Sequence, residues 1–250
     1  MSDRTSFGAF LTYLSERESL DISAADASEW SRLSRGETPS PALLRRVAPT
    51  LGFHAADLFV IAGVTMPPDL APVDPAAGRL VPSLLASARA VTEEGRARVH
   101  RAIADMPQRP HLPPDPRTAV DDRRSTGPGA LLMRMARNRN LGWTAMAKVV
   151  LLMTGRYWSP ATYGSIAYGR VALAPDLVVD FATVLGLHAE DLAWLTGVSL
   201  GGPSAAPDPA NAGLAELAWA ARRLTAAQLA EVDQMVRIGL FTGSPRRNRR

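Results

Sequence analysis

The residues of this chain best suited to bind another molecule through polar contacts lie between residues 28 and 35, where short hydroxyl side chains accompany arginines. Asp26 can cap a helix that runs from residue 27 to residue 35. The outer face of that helix then carries polar side chains: Ser28, Glu29, Ser31 and Arg32. Trp30 and Leu33 fall on its inner face, and Arg35-Gly36 ends it. Serine can contact phosphates or base edges, and arginine can bond guanine through two donors. The pattern therefore suits the major groove of DNA, and a solvated helix face is the alternative.

No comparable set of residues indicates catalysis or a metal site. His54 and His188 precede helices at equivalent places, which favours a buried or capping role, and no second ligand lies at metal-site spacing. Asp121 and Asp122 lie in a linker beside arginines, so a solvated loop is the better interpretation than a catalytic pair. The chain has no cysteine, no glycine-rich phosphate loop and no recognisable order of serine, histidine and aspartate. We therefore expect no enzyme activity, no metal and no cofactor.

The composition permits nucleic-acid binding and disfavours a membrane protein. The 250 residues carry a net charge of +4, and Lys148 is the only lysine, so nearly all the positive charge is arginine. The most apolar run, at 145–153, is too short to span a bilayer, and the N-terminal residues lack the apolar core of a signal peptide. We expect a bacterial protein of the cytoplasm, associated with the nucleoid and without a membrane partner. The basic tail at 242–250 either contacts DNA phosphates or forms a disordered, solubilising end.

The chain contains an internal duplication. LGFHAADLFVIAGV in the first half matches LGLHAEDLAWLTGV in the second half. In all, three pairs of segments match at offsets of 134, 133 and 121 residues: 51–64 with 185–198, 87–103 with 220–236, and 8–20 with 129–141. Three collinear matches indicate two copies of one helical plan. The second copy has about a dozen more residues between its first and third helices.

Apolar residues recur at spacings of three and four residues without the alternation that is typical of strands, which predicts an all-α fold. Two apolar stripes are clear in the first copy: Phe7, Phe10, Leu11 and Leu14, and then Leu43, Leu44, Val47 and Leu51. Ser40 caps the second of these helices, Pro41 takes its first turn and Gly52 can stop it.

The segment DASEWSRLSRGETPSPALLRRVAPTLGFHAADLFVIAG (26–63) resembles the lambda-repressor-like helix-turn-helix proteins of the Xre type. The matching features are a third helix with an Arg-Gly stop, a Pro-Ser cap, a fourth helix that ends at Leu-Gly, and a fifth helix. Members of that family are mostly dimeric, sequence-specific DNA-binding regulators. The resemblance implies contacts to bases for the outer residues of the third helix: Ser28, Glu29, Ser31 and Arg32. It implies contacts to phosphates for Arg35 and for Arg45 or Arg46.

This copy departs from the family pattern in two ways. Only SLDISAAD (19–26) separates its first and third helices, which shortens the second helix to about one turn. Glu29, in an exposed position, would repel phosphates unless it accepts a hydrogen bond from a cytosine amine.

The second copy supplies a complete second helix, WTAMAKVVLLMTG (143–155), with Thr144 as its cap and Gly155 at its end. Its third helix begins at Ser159, and Tyr163 and Ile166 take the inner positions. The outer face and the flanks of that helix supply the candidate DNA contacts: Arg156, Ser159, Ala161, Thr162, Ser165, Tyr168 and Arg170. Because the helix itself is nearly uncharged, its contacts would be hydroxyl and apolar ones, including contacts to thymine methyl groups.

These assignments give two lambda-repressor-like helix-turn-helix domains, each followed by a proline-rich spacer and an amphipathic helical segment. In chain order the parts are a first domain at 7–64, a helical segment at 79–106, a proline-rich linker at 107–127, a second domain at 128–198, a helical segment at 212–241 and the basic tail. The amphipathic segments either pack inside the chain or serve self-association, since regulators of this type gain operator symmetry by dimerising. On the second interpretation the protein is a homodimer.

The leading hypothesis is a sequence-specific DNA-binding transcriptional regulator whose tandem units insert their third helices into the major groove of double-stranded DNA. Two linked units raise the effective concentration of the second after the first has bound. The alternative is a degenerate helix-turn-helix module that binds and regulates a partner protein. The shortened first copy and the uncharged third helix of the second favour that alternative. An effector pocket between the copies fits either hypothesis, but the sequence names no ligand.

Overall fold

The computed structural model describes residues 7–18, 28–29, 31–33, 35–113, 125, 127–202 and 208–241, and all regular secondary structure in them is helical. This confirms the predicted all-α class. The helices of the first copy are α1 (Phe7–Glu18), α2 (Pro41–Val47), α3 (Ala55–Ile61), α4 (Val81–Arg89) and α5 (Glu93–Asp105). Those of the second copy are α6 (Gly127–Asn138), α7 (Trp143–Thr154), α8 (Pro160–Ala167), α9 (Pro175–Leu185), α10 (Ala189–Thr196), α11 (Pro209–Ala221) and α12 (Ala226–Arg237).

Shorter helical stretches complete the described part of the first copy. Residues 28–29 and 31–33 are helical, and 3-10 helices at Pro68–Leu70 and Pro75–Leu80 lead into α4. None of the helices in the described ranges combines the length and the apolar composition that crossing a bilayer requires.

The helices α2 and α8 begin at the serines that the sequence predicts as their caps. The Ser40 hydroxyl accepts a hydrogen bond from the amide of Leu43, and the Ser159 hydroxyl accepts one from the amide of Thr162, both at 3.2 Å. Each serine is followed by proline at the first helical position, where the missing N–H has no intrahelical acceptor in any case. The two apolar stripes predicted for the first copy are buried throughout.

The predicted cap of α7 is wrong, whereas its predicted end is confirmed. The helix begins at Trp143 with Gly142 in the capping position, so Thr144 lies one residue inside the first turn. At the other end Gly155 has a φ of 73°, a left-handed conformation that glycine adopts without steric cost. Two further predictions, the Asp26 cap and the inner position of Trp30, lie outside the described residues, as does all of SLDISAAD (19–26).

Equivalent positions of the duplication have the same local structure at the starts of the later helices. Asp74 and Asp208 each accept a hydrogen bond from the amide two residues further on, at 2.8 and 2.9 Å. Thr92 and Thr225 each cap the following helix, α5 and α12, by accepting from the amide three residues further on. The matched sequence segments therefore form matched helix starts.

The pair α4–α5 packs against the pair α11–α12 inside the chain. α4 contacts both α11 and α12, and α11 contacts α5. The amphipathic segment predicted at 212–241 has apolar stripes at spacings of three and four residues, and these are buried: Leu214, Leu217, Ala218, Ala221, Leu224, Leu229, Val232 and Val236. Only the last member, Leu240, is exposed, at 61%. Of the two interpretations of these segments, packing inside the chain is therefore the one observed, and a homodimer would need another surface.

The remaining helices of the two copies also contact each other reciprocally. α3 of the first copy packs on α6, the first helix of the second copy, and α1 packs on α10. Each contact carries an ion pair: Asp57 of α3 binds Arg139 directly after α6, and Arg17 of α1 binds Asp191 of α10. Asp57 and Asp191 are equivalent in the duplication. Such an exchange of contacts is typical of a two-fold interface between subunits, and here it lies within one chain.

The Asp57–Arg139 pair is the more deeply buried of the two. Both side chains are completely inaccessible, and the guanidinium donates to both carboxylate oxygens at 3.0 and 2.9 Å. Asn138 donates to the same carboxylate at 2.8 Å. In the pair formed by Asp191 the Arg17 side chain is 26% exposed. Burial raises the pKa of Asp191, and the positive charge of Arg17 opposes that shift.

Candidate nucleic-acid interface

Helix α8 has its apolar residues buried against α6, α7 and α9, as predicted for a third helix. Tyr163 and Ile166 are 0% and 2% exposed, and the Tyr163 ring meets Phe181 of α9 edge to face at 5.9 Å. Of the predicted outer residues Ala161 is exposed, while three are half-buried: Thr162, Ser165 and Tyr168. The connection from α7 to α8 occupies only residues 155–159, and the two helices remain in contact.

Two glycines allow α8 to approach its neighbours closely. A Cβ atom on Gly129 of α6 would lie 2.4 Å from the carbonyl oxygen of Ile166, and one on Gly164 would lie 3.2 Å from the Trp143 ring. The Trp143 ring in turn contacts Tyr168 edge-on at 5.8 Å. Glycine costs about 1 kcal/mol of helix propensity relative to alanine. The packing of Trp143 against α8 explains why Gly164 is tolerated there.

Several candidate contact residues of the second copy have partners within the protein. The hydroxyls of Ser159 and Thr162 share a hydrogen bond at 3.0 Å, so both belong to the cap of α8. The guanidinium of Arg170 lies 5.1 Å from the centre of the Tyr168 ring, which is a cation–π distance. Arg170 is exposed and Tyr168 half-buried, so both remain accessible to a bound molecule.

Arg156 is held at the turn between α7 and α8 by a buried carboxylate. Its Nε and Nη2 donate to Oδ1 of Asp180 at 2.9 and 2.6 Å, and the indole N–H of Trp158 donates to the other carboxylate oxygen at 2.7 Å. The hydrogen bond to Asp180 raises the pKa of Arg156. The Arg156 side chain is still 43% exposed, but its charge is paired with that of Asp180, as the charge of Arg46 is paired with that of Glu29.

In the first copy the helical residues 28–29 and 31–33 present a more polar surface. Ser28, Ser31 and Arg32 are exposed, as is Arg35 in the turn that follows, and Leu33 is buried at 4%. This arrangement matches the predicted outer and inner faces for every residue of that stretch that the structure describes, except Glu29.

Glu29 is turned toward the protein. Its carboxylate accepts from Arg46 at 2.9 Å and from the Ser40 hydroxyl at 3.2 Å, and its side chain is only 25% exposed. The predicted contact of Glu29 with bases therefore competes with an ion pair. The same pair neutralises Arg46, one of the predicted phosphate contacts, and Asp69 binds Arg45, the other, with two hydrogen bonds of 2.9 Å.

Two features of this region were not predicted from the sequence: the buried carboxylate of Asp180, which binds Arg156 and Trp158, and a group of exposed apolar residues. Asp180 carried a usable signal, since it lies on the apolar face of the segment PDLVVDFATVL and a buried carboxylate needs a cation. Three exposed apolar residues lie in or beside α7 and α8: Leu151 at 46%, Tyr157 at 64% and Val171 at 53%. Single exposed apolar residues are ordinary, and only their placement around one pair of helices draws attention to them.

The two repeat-related histidines differ in burial. The His54 ring stacks on Trp219 with ring centres 3.7 Å apart and is 24% exposed, whereas His188 is exposed. Both occupy the capping position of a helix, but neither side chain forms the capping hydrogen bond. In the described ranges no three residues among histidine, cysteine, aspartate and glutamate are grouped so as to hold a metal ion.

His54 should make the stability of the protein depend on pH. Burial lowers its pKa to about 4, the charge of Arg139 adds to that shift, and Asp57 opposes it. Since the unfolded pKa is about 6.5, the stabilisation is complete above that pH and is lost as the pH falls toward 4. We expect a loss of about 2 kcal/mol in the free energy of unfolding between pH 7.5 and pH 5. Urea unfolding at the two pH values measures it.

The variant His54→Phe keeps an aromatic ring on Trp219 and should lack this part of the pH dependence. His188→Phe changes the exposed counterpart and should retain it. If the three proteins lose the same free energy between the two pH values, His54 is not the group responsible.

No family model matches this chain, and neither a curated protein nor a solved structure is significantly similar to it.

Proposed function

We propose that this protein is a sequence-specific DNA-binding transcriptional regulator with two helix-turn-helix units, whose third helices enter the major groove. The units are the first copy, with its helical residues 28–29 and 31–33, and the second copy, with α7 and α8. Support comes from α8, which packs on Trp143 of α7 through Gly164 and Tyr168 and keeps small or hydroxyl side chains accessible. Side chains of this kind can read base edges and thymine methyl groups.

The reciprocal contact between the copies is the observation that carries the proposal. Regulators with helix-turn-helix units bind two half-sites through a two-fold arrangement of two units. Here α4–α5 packs on α11–α12, and the equivalent carboxylates of Asp57 and Asp191 each bind an arginine of the other copy. One chain thus has the exchange of contacts that a dimer of single units would have. We propose that it reads two half-sites as a monomer.

The two half-sites should differ from each other. The first copy offers Arg32 and Arg35, which can bond guanine or phosphate, while α8 offers Ala161 and hydroxyl groups. A site read by unlike third helices would be an imperfect palindrome. Mapping of bound DNA across the genome, followed by footprinting, gives both halves in one experiment.

Replacing Arg32 by alanine should weaken binding of the chain to the mapped site about tenfold, because it removes one charged contact from the first unit. If the contact is to a phosphate, the slope of log K against log salt should also fall by about one. Electrophoretic mobility shifts at a series of salt concentrations measure both quantities.

Arg101→Ala is the matched control, since Arg101 is also exposed but lies on α5. The same loss of positive charge there should leave the affinity nearly unchanged. A wild-type chain that binds all DNA equally would count against sequence-specific regulation, as would an Arg32 variant that behaves like the control.

The second candidate is a module that binds and regulates a partner protein. The exposed side chains of Leu151, Tyr157 and Val171 around α7 and α8 favour it, because aromatic and aliphatic anchors dominate protein interfaces. So do the ion pairs that occupy Arg45 and Arg46. This candidate predicts a chain that is not retained on DNA at low salt and that loses a stable partner on Tyr157→Ser.

A further inference from the structure

A pocket of about 570 Å³ lies between the two helical pairs, beneath the proline-rich spacer of the first copy. Its walls come from three parts of the chain: the spacer at 69–73, the end of α5 with the segment at 108–111, and the end of α11 with Arg222 and Arg223. The spacer is tied to both of the others, because the amide of Val73 donates to the carbonyl of Arg222 and the amide of Leu112 donates to the carbonyl of Val73. This volume is in the range of small-molecule sites, about 300–1,000 Å³.

The charge of the pocket is one-sided. Three arginines line it, Arg109, Arg222 and Arg223, against one carboxylate, Asp69. That carboxylate is already bound by Arg45 through two hydrogen bonds of 2.9 Å. Across the described part of the chain no carboxylate lies within salt-bridge distance of the three arginines. Among the described residues, positive groups therefore outnumber negative ones in the lining of the pocket.

Arg222 is the arginine that the fold holds most firmly. Its guanidinium lies 3.9 Å from the centre of the Trp219 ring and donates to the carbonyl of Leu70. His54 stacks on the same ring at 3.7 Å, so the two groups cover opposite faces of the indole. Burial lowers the pKa of Arg222 to about 10, and the side chain therefore remains charged at neutral pH. A cation that forms no ion pair with a described carboxylate, in a partly desolvated pocket, favours an anion at its side.

The pocket belongs to one copy only. The duplication matches Trp219 with Ala86 and Arg222 with Arg89, and both of these counterparts are exposed. The second copy thus has a half-buried indole and a half-buried guanidinium at positions where the first copy has an exposed methyl group and an exposed arginine. Packing of the helical pairs does not by itself require a tryptophan and an inward arginine at these positions. α4, which has Ala86 and Arg89 there, contacts both α11 and α12.

We propose that this pocket binds a small organic anion, with its oxyanion head on Arg222 and Arg223 and its apolar body against Ile103, Ala104 and Val73. Guanidinium groups match the planar geometry of carboxylate and phosphate oxygens. The three apolar residues line the wall beside the arginines. The site is independent of the proposed DNA binding and can be measured on the full chain without DNA.

The test is calorimetric titration of the full chain at low salt with phenyl phosphate, benzoate and benzyl alcohol as probes. The two anions share an apolar ring and an oxyanion head, and benzyl alcohol has the ring without the charge. We expect saturable binding of at least one anion, at least tenfold tighter than that of benzyl alcohol. The tighter of the two anions identifies the head group.

Arg223→Gln should weaken anion binding about tenfold, since a charge-assisted hydrogen bond is lost. Arg223 makes no side-chain hydrogen bond in the described part of the chain, so this variant should remain folded even if Arg222→Gln does not. Arg89→Gln, at the exposed counterpart of Arg222, should bind like the wild type. The proposal is overturned if neither anion binds, if benzyl alcohol binds equally well, or if Arg89→Gln weakens binding as much as Arg223→Gln.

Discussion

Replacing Asp57 by alanine is expected to lower the free energy of unfolding by about 3–5 kcal/mol, the largest change that any single substitution discussed for this protein should cause. The carboxylate accepts two hydrogen bonds from Arg139 and one from Asn138, and both members of the ion pair are completely inaccessible. Without Asp57 the guanidinium of Arg139 remains charged, because arginine does not lose its proton in proteins. Since the side chain is completely inaccessible, it becomes a buried charge without a counter-ion or water, and this destabilises the folded state. Urea unfolding followed by circular dichroism measures the change.

Asp191→Ala is the matched control, because Asp191 is the counterpart of Asp57 in the duplication. It should cost less, since the Arg17 side chain is 26% exposed and water can replace the lost carboxylate. Arg45→Ala, in a pair that is exposed on both sides, should change the stability by less than about 1 kcal/mol. Equal losses in all three variants would show that burial does not control the contribution of these pairs.

A second comparison separates the ion pair from the packing around it. The double variant Asp57→Leu with Arg139→Met removes both charges and keeps side chains of similar volume. We expect it to recover most of the stability that Asp57→Ala loses, since buried pairs are often replaced by apolar residues at little cost. If it recovers nothing, the hydrogen bonds from Arg139 to the carbonyls of Met135 and Leu185 are what the fold needs from this arginine.

Local features of the fold were predictable because their signals lie within one turn of chain. The sequence Ser-Pro marks the starts of α2 and α8, and Gly155 marks the end of α7, through interactions that reach three or four residues at most. The prediction of Thr144 as the cap is wrong because the capping residue, Gly142, has no side chain, so that the nearest hydroxyl gives a false signal. Apolar spacing likewise gave the inner positions Tyr163 and Ile166 correctly.

Contacts between distant parts of the chain were not predictable in this way. Arg139 looks like any other arginine in the segment ARNRNL, and its partner Asp57 is 82 residues away. The amphipathic segments had two interpretations because an apolar stripe indicates that a helix face will be buried. It does not indicate whether another helix of the same chain or a second copy of the protein will cover that face. The pocket at Trp219 follows only once α5, α11 and the spacer have been brought together. Pairing of remote charges is thus where sequence patterns stop being informative.

Replacing Ala161 by glutamate should reduce the affinity of the chain for its DNA site on the order of 100-fold if α8 enters the major groove. Ala161 is the second residue of α8 and is exposed. A carboxylate there lies between phosphate backbones in the proposed complex and repels them. In the free protein the same carboxylate lies in the first turn of a helix, where it is favourable by about 0.3–1 kcal/mol. The variant should therefore fold at least as well as the wild type, and thermal unfolding checks this.

Ala86→Glu makes the same change of charge at an exposed position of α4, away from the proposed interface. It should lower the affinity only slightly, through the net charge of the protein. If the two variants lose affinity equally, the effect is one of net charge and α8 has no particular place at the DNA. If Ala161→Glu binds like the wild type while Arg32→Ala does not, only the first copy contacts DNA. The exposed surface around Leu151, Tyr157 and Val171 would then be the candidate site at which the second copy binds a partner protein.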